Sequence, residues 1–503
     1  MPITVMKFGG TSMDNLPQVA SLIEKQSKQT DTVAVVSAFS GITNKLLTVA
    51  TSIVEKPIKD KGKFFALLED ILQDNFTKIE MAIHSTQNSP ALTDTKAQVL
   101  FMIKKLAEEI LELQSLFANE KIKNKQFSVL VHDRIVGIGE FISSLLLARV
   151  LKLRCYVSAQ HVDLSDLISR DSRKREDYLT SKEFLYGDLV HDIRKKLRHV
   201  LIDKQVPVLG GYIGHIPGGI LQTIDRGYTD STAALISVAV RSLGDHSKDV
   251  RLQIWKEVPG LMSADPRLVE PNYDSKTHTK AADFRVVKLR SRVSFAEAAE
   301  LSVLGGMKAI NPNGIHVLDG HGITFEVRNT FEPEHPGTVI SHEDIVEENG
   351  IRFISGKKDQ IIYRVRSNKM VNQSGVAGNI FRLCSELKID VDAITTSATT
   401  VAFSVDGKAS HREKLEEGLK KIGNVKVYPK MALVCCIGNN FSQSVGLLSR
   451  LSGILSQAAI NIEFDCGDAD NNITFIIEEK DCDQAIKALH EALFSGNVQN
   501  SGG

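Results

Sequence analysis

A chain of 503 residues carrying 61 Lys+Arg against 61 Asp+Glu, with 42% hydrophobic and 24% charged residues, has the length for two or three packed domains and a globular composition. That excludes a disordered or fibrous chain, and zero formal net charge gives no long-range field for a polyanion, so neither nucleic acid nor an acidic membrane is an expected partner. No apolar run reaches the roughly 20 residues needed to span a bilayer, no signal-like segment opens the chain, and the six cysteines include no CxxC pair; these point to a cytoplasmic, reduced protein with buried thiols and no metal site of its own.

In chain order, the β-rich run 3–8 enters Gly9-Gly10 and is followed by a helical pattern over 15–28 with Leu16, Val19, Ala20 and Ile23 on one side. The apolar run 32–37 reads as a strand buried on both faces. Residues 56–126 change character to two long amphipathic stretches, a helical hairpin with Asn88-Ser89-Pro90 as its breaker and Thr93 or Asp94 as the cap of its second helix. Strands are expected again at Ser128-Val129-Leu130-Val131, Arg154-Cys155-Tyr156-Val157, Val206-Pro207-Val208-Leu209 and Arg251-Leu252-Gln253-Ile254-Trp255. Strands alternating with helices to residue 341 imply one large α/β domain with a mostly parallel sheet flanked by helices. After a charged linker the order strand, helix, two strands, helix occurs twice, which predicts two α+β ferredoxin-like units over 360–429 and 430–496, with 342–359 supplying the linker and the first strand of the second unit.

Four runs carry chemistry. Lys7-Phe8-Gly9-Gly10-Thr11-Ser12 sets a cation at a strand end, two glycines able to expose their amides, and two hydroxyls at a helix start: the makings of a phosphate cradle, though not a GxxxxGKS loop. Asp225-Arg226-Gly227-Tyr228-Thr229-Asp230-Ser231 offers a guanidinium fork for a carboxylate and an acidic helix start. His132-Asp133-Arg134-Ile135-Val136-Gly137-Ile138-Gly139-Glu140 puts Glu140 after two glycines, near the N-terminus of an apolar helix over 141–151. The run from Ile254 through Lys256, Glu257, Pro259-Gly260 and Met262 to Ala264-Asp265-Pro266-Arg267, with Lys308 beyond, sets cations on separate loops suited to an anionic nucleotide tail.

Together these motifs resemble the aspartate kinases, an amino-acid-kinase domain followed by paired ACT domains. The opening Lys7-to-Ser12 run, the loop 37–44, Gly211-Tyr212-Ile213-Gly214, Arg226-Gly227-Tyr228-Thr229-Asp230 and Ala264-Asp265-Pro266-Arg267 stand in the family's order, and the likeness spans nearly the whole chain. It implies a catalytic domain over 1–341 that uses ATP and Mg2+ to phosphorylate the side-chain carboxylate of L-aspartate. Lys7 and Asp230 would be catalytic; Ser37, Thr43, Glu140 and Arg226 would bind aspartate. Lys7, Gly9, Gly10, Thr11, Ser12, Lys256, Glu257, Arg267 and Lys308 would hold the nucleotide. Where many relatives have Thr-Asp, an aromatic and His, this chain has Lys256-Glu257, Met262 and Asn311.

The C-terminal units resemble ACT domains that bind an end-product amino acid and pair in homodimers or larger homo-oligomers. Met370, Gln373, Ser374, Gly375 and Asp392 would form the effector site, with lysine or threonine as ligand. A glycine-started helix whose amides face a carboxylate suits a free amino acid. The resemblance places the product at the head of lysine, threonine and methionine synthesis and leaves no room for an appended dehydrogenase. Two other functions fit parts of the pattern: a kinase for another small carboxylate, or a catalytically silent ACT-domain sensor.

Overall fold

A computed structural model describes residues 2–56, 60–83, 89–117, 124–168, 182–214, 227–243, 249–271, 284, 286–303, 311–318, 320–341, 350–367, 375–467 and 470–494. The chain divides into two compact units, Met1–Gly260 with Ala309–Ser341, and Leu261–Lys308 with His342–Gly503. The stretch 261–308, expected as part of the catalytic domain, thus clusters with the C-terminal half.

In the first unit the strands are β1 (Ile3–Phe8), β2 (Asp31–Val36), β3 (Ala159–His161), β4 (Val206–Gly210), β5 (Val250–Lys256), β6 (Thr324–Asn329) and β7 (Thr338–Ser341), in the spatial order β3-β4-β2-β1-β5-β6-β7. All neighbours are parallel except β6 and β7. β1 lies between β2 and β5 with Lys7 opposite Val35 and Ile254, and all six of its residues are buried, Thr4 and Lys7 included. The parallel register brings the carboxyl ends of β1, β2, β4 and β5 to one edge, where the chain turns out through Gly9, Ser37, Gly211 and Glu257.

The flanking helices are α1 (Gly10–Met13), α2 (Leu16–Ser27), α3 (Ile42–Glu55), α4 (Lys61–Ile83), α5 (Ser89–Phe117), α6 (Asn124–Arg154), α7 (Lys182–Ile202), α8 (Tyr228–Arg241) and α9 (Pro312–Leu318). Asn15 caps α2 by accepting from the Gln18 amide, and Pro17 sits in its first turn. The hairpin is α4 with α5. Its stripe of Phe64, Leu68, Ile103, Leu106, Ile110 and Leu113 joins the core that also holds Leu16, Val19, Leu46 and Leu146. α5 begins at Ser89, so Thr93 and Asp94 lie inside it rather than capping it; Asp94 instead pairs with Arg149 at 3.0 Å. Asn88 lies outside the described residues.

Two expected strands are absent. Ser128-Val129-Leu130-Val131 is a turn of α6, and residues 155–158 are irregular, the strand starting at Ala159. α6 is buried on nearly every side from Phe127 onward, so its apolar residues do not keep to one face and the helical period is lost in the sequence. Its internal glycines are held by packing: a Cβ on Gly137 would lie 2.6 Å from the Tyr212 ring, and one on Gly139 3.1 Å from Ala38 and Leu46.

The second unit is built on a six-stranded antiparallel sheet of β8 (Gly350–Arg366), β9 (Ile394–Thr396), β10 (Thr400–Asp406), β11 (Asn424–Asn439), β12 (Phe464–Cys466) and β13 (Asn472–Glu478), in the order β9-β10-β8-β11-β13-β12. One strand, β8, serves both halves. Gln360 to Arg366 pair with β10, Gly350 to Lys357 with the far end of β11, and the register slips between Lys357 and Gln360, where Asp359 adopts φ +60°. Helices α10 (Val376–Glu386) and α11 (Arg412–Ile422) cover one half; α12 (Leu447–Gln457) and α13 (Cys482–Phe494) cover the other, each half with its own apolar core. Among the described residues no helix is long and apolar enough to cross a membrane.

Helix Phe295–Val303 is tied to this sheet by a fully buried ion pair: Arg352 Nη1 donates to both Glu297 oxygens at 3.0 Å, with the side chains 4% and 0% exposed. Removing one partner strands a buried charge. Arg352→Met should cost about 3–5 kcal/mol of unfolding free energy. Arg352→Met with Glu297→Leu should recover most of that loss, both read by urea unfolding; an unchanged single variant would show the pair to be energetically idle.

Candidate active site

The edge where β1, β2, β4 and β5 end collects most of the residues singled out in the sequence. Lys7 is not a solvent-facing strand-end cation: it is 6% exposed, and its Nζ lies 2.6 Å from Asp230 Oδ1. Asp230 stands in the first turn of α8, a helix buried at every residue from Tyr228 to Val240 that packs over β1 and β5. Lys256, the last residue of β5, approaches the other Asp230 oxygen at 3.6 Å. Burial works against ionising Asp230, but Lys256 and Lys7 outweigh it and hold the carboxyl below its ordinary value. For Lys256, burial and the repulsion of Lys7 lower the titration, against the pull of Asp230 and Glu257.

Beside Lys7 the chain turns through Gly9 and Gly10. The Gly9 amide and the Ser12 hydroxyl both donate to the Trp255 carbonyl, at 3.3 and 3.2 Å, and Ser12 Oγ shares a 2.7 Å hydrogen bond with Thr330 Oγ1. The Ser12 side chain, expected on a phosphate, is therefore committed to the frame of the turn. Gly10 is needed for close approach, since a Cβ there would lie 2.9 Å from the Ala38 carbonyl oxygen. Thr11 is half-buried in α1, and Thr43 is half-buried in the first turn of α3, behind Gly41 at φ +78°.

Glu140 is not at a helix start, as expected, but in the middle of α6, and it is 1% exposed. Its Oε1 accepts from Thr229 Oγ1 at 2.6 Å and Ser37 Oγ at 3.2 Å, while Oε2 accepts from the Gly211 amide at 2.7 Å; the nearby Tyr228 hydroxyl also favours its charged form. Burial dominates and raises its pKa above the ordinary 4.5, against these donors and the more distant Lys7. Thr229, Tyr228 and Gly211 lie in motifs legible in the sequence, but nothing local marks them as neighbours of Glu140. The signal was a hydroxyl at each of positions 228 and 229; what was missing was the knowledge that α6 passes beside them.

Behind Glu140 a polar chain leads to the hairpin. Arg134 holds Glu109 of α5 through two hydrogen bonds, at 2.9 and 2.6 Å, and lies 5.9 Å from the Tyr212 ring centroid. Asn311 accepts from Ser231 at 3.2 Å and fills the space beside Gly227, where a Cβ would lie 2.2 Å from its amide nitrogen.

The remaining candidates fall elsewhere. Glu257 is exposed just past β5. Arg267 belongs to the second unit, where its Nε donates to Asp265 Oδ1 at 2.9 Å and its side chain is 65% exposed. Gly375, at φ +90°, starts α10, and Asp392 pairs with Lys357 at 2.7 Å, so an internal ammonium already meets the carboxylate expected to hold an effector. Arg226, Lys308, Met370, Gln373 and Ser374 lie outside the described residues.

Because Asp230 titrates below its ordinary value of 3.8, its ion pairs contribute stability that is complete above that pH and lost as pH falls through the lowered folded-state value. Asp230→Asn should flatten the stability–pH curve below pH 3.8, measured by urea unfolding across an acid series; a curve parallel to wild type would exclude this coupling.

Comparison with known proteins agrees with this architecture. The model of the amino acid kinase family matches residues 2–329, and that of the ACT domain matches 434–493. An aspartokinase of Candida albicans is 29% identical, over 98% of this chain and 90% of its own length. The structure of E. coli aspartokinase III in complex with aspartate and ADP, in the R-state, superposes with TM-score 0.72 at 26% identity, covering 98% of this chain and 100% of that one. The same enzyme in complex with lysine and aspartate, in the T-state, gives TM-score 0.65 at 25% identity, covering 98% and 99%. A family match running from residue 2 to 329 of 503, over a parallel sheet whose edge carries a lysine, two glycines and a buried aspartate, leaves one conclusion: the chain belongs to the amino acid kinase family.

Proposed function

We propose that this chain is an aspartate kinase, transferring the γ-phosphoryl group of ATP to the side-chain carboxylate of L-aspartate to give 4-phospho-L-aspartate. The observation that carries the reading is the pairing of two differently tuned buried carboxylates at one sheet edge. Asp230 is saturated with ammonium groups, while Glu140 is surrounded mainly by neutral donors and left short of positive charge. An incoming substrate ammonium supplies what Glu140 lacks. Likeness to a solved aspartokinase bound to aspartate and ADP supports the same assignment.

In this reading Glu140 takes the α-ammonium, Ser37 and Thr43 line the substrate, and Arg226 forks onto its α-carboxylate. No general base is needed, because the attacking carboxylate is already ionised near neutral pH. The protein's work is alignment and charge: Lys7 neutralises charge as it moves onto the transferring group, Asp230 holds Lys7 in place, and the turn through Gly9 and Gly10, with Thr11, flanks the phosphates. Glu257, just past β5, serves the nucleotide, and Lys256 at the same strand end lies beside Asp230. The donor set beside Lys7 is one carboxylate already faced by two ammonium groups, which suits anionic phosphates; Mg2+ would arrive bound to them, adding its charge to that of Lys7. The ACT-like half binds an end-product amino acid, lysine or threonine, near Gly375 and Asp392 and pairs chains into a homodimer or larger assembly. The enzyme acts in the cytoplasm at the head of lysine, threonine and methionine synthesis.

A hydroxamate assay with ATP, Mg2+ and L-aspartate, run beside L-glutamate and N-acetylglutamate and repeated with lysine and threonine, tests the reaction and its regulation. Aspartate-dependent acyl phosphate is expected, and a signal only with another acid would overturn the reading. Lys7→Met, which keeps the stem's bulk in a buried site, should lower kcat at least about a hundredfold. Glu140→Gln should raise the aspartate KM and leave the ATP KM nearly unchanged. In the wild type the aspartate KM should climb as acidification protonates Glu140, beginning above the ordinary range near 4.5, and the variant should lose that dependence.

A further inference from the structure

Thr330 follows β6 directly, at the sheet edge where β1 and β5 also end, and it is fully buried. Its polar groups reach three different elements. The Thr330 amide donates to the Lys256 carbonyl at the end of β5, at 2.9 Å, and its carbonyl accepts from Gln18 Nε2 in the first turn of α2, at 3.3 Å. Its hydroxyl lies 2.7 Å from Ser12 Oγ in α1. The direction of that last bond follows from counting protons. A serine hydroxyl has a single proton, and Ser12 gives it to the Trp255 carbonyl at 3.2 Å, so the proton between Ser12 and Thr330 comes from Thr330. The result is a one-way chain from Thr330 Oγ1 through Ser12 Oγ to the Trp255 carbonyl, which also accepts from the Gly9 amide at 3.3 Å.

The helix held by this chain needs an anchor, because α1 spans only Gly10–Met13 and its N-cap, Gly9, has no side chain to bond the first amides. On its other side Gly10 approaches the backbone after β2, where a Cβ would lie 2.9 Å from the Ala38 carbonyl oxygen. The turn is thus clamped between that backbone and the ends of β5 and β6, and the second half of the clamp runs through the hydroxyl at position 330.

We propose that Thr330 is a positioning residue for phosphoryl transfer: by donating to Ser12 it fixes the turn through Gly9 and Gly10, and with it Thr11, where the phosphates of ATP are to lie. This rests on the aspartate kinase reading and adds to it a buried residue that acts only through Ser12. Phosphoryl transfer asks the protein mainly for alignment and charge, and a misplacement of about 1 Å can cost on the order of a hundredfold in rate. A turn with two adjacent glycines has wide backbone freedom, so its place is set by what it is tied to. Without the Thr330 proton, Ser12 keeps its bond to Trp255 but loses its only hydroxyl donor among the described residues, and the tie between α1 and the end of β6 is gone.

The test is steady-state kinetics in ATP and L-aspartate of the full-length wild type, Thr330→Val, Thr330→Ser, Ser12→Ala and the double variant of Ser12→Ala with Thr330→Val, with thermal melting of each. Thr330→Val, which keeps the shape and removes the proton, should lower kcat about tenfold with the aspartate KM within about threefold of wild type. Thr330→Ser, which keeps the hydroxyl, should hold kcat within about threefold of wild type. Ser12→Ala breaks the same chain from its other end, so the double variant should be no more than about twofold slower than Ser12→Ala alone. Wild-type kcat in folded Thr330→Val or in folded Ser12→Ala would overturn the proposal. Losses that multiply in the double variant would make the two residues independent, and an equal loss in Thr330→Ser would assign the effect to the methyl group and packing; either result would overturn it too. A folded wild type without aspartate-dependent turnover would remove the underlying reading as well, whereas an active wild type beside an equally active Thr330→Val would remove this proposal alone.

Discussion

A carboxylate buried between two lysines is the constraint around which the first unit is arranged. Asp230, Lys7 and Lys256 could not lie in the interior singly, because a lone charge there costs several kcal/mol. Each is kept in place by the others. The first turn of α8 must meet the carboxyl ends of β1 and β5, and this sets the helix, otherwise apolar and buried all round, in one position along the sheet. The glycine turn after β1 follows from the same geometry, since its amide and the Ser12 hydroxyl both close on the Trp255 carbonyl, one residue before Lys256.

Glu140 is the counterpart with the opposite electrostatic balance. Both acids are buried, but Asp230 is compensated by full charges and is held ionised, whereas Glu140 is compensated largely by dipoles and resists ionisation. Two carboxylates at one sheet edge thereby differ in what surrounds them, one matched by ammonium groups and one by neutral donors. The hairpin of α4 and α5 enters here as support: Glu109 fixes Arg134, Arg134 lies beside Tyr212, and Gly211 of the same turn donates to Glu140. A hairpin whose role is opaque in the sequence becomes part of the support behind Glu140.

The second unit shows a different economy. Its two halves have separate cores yet share β8, and the register slip at Asp359 lets one extended segment serve two differently placed partners. The pairing of Asp392 with Lys357 means that a ligand ammonium directed to that carboxylate would compete with one already present in the chain.

Local pattern alone was enough for the strand, glycine turn and helix at the N-terminus, for β2, β4 and β5, for the long hairpin, and for the repeated element order of the C-terminal half. These depend on apolar runs, glycines and amphipathic periods, all read within a few turns of chain. Lys7, Glu140, Asp230 and Lys256 stood out as residue types, but their meaning required partners brought from remote parts of the sequence. Burial of Lys7, the paired approach of Lys256, the ring of donors on Glu140 and the diversion of Ser12 to Thr330 were settled by strand order and by the passage of α6 behind β4. The same holds for α6: a helix buried on all sides has no polar face to mark its period, and its glycines look like breakers until Tyr212, Ala38 and Leu46 are seen to fill the space beside them. Local sequence specified most of the elements and which chemistries are on hand. Tertiary structure decided which charges meet, because ion pairing and desolvation act through space at a few ångströms, whatever the separation along the chain.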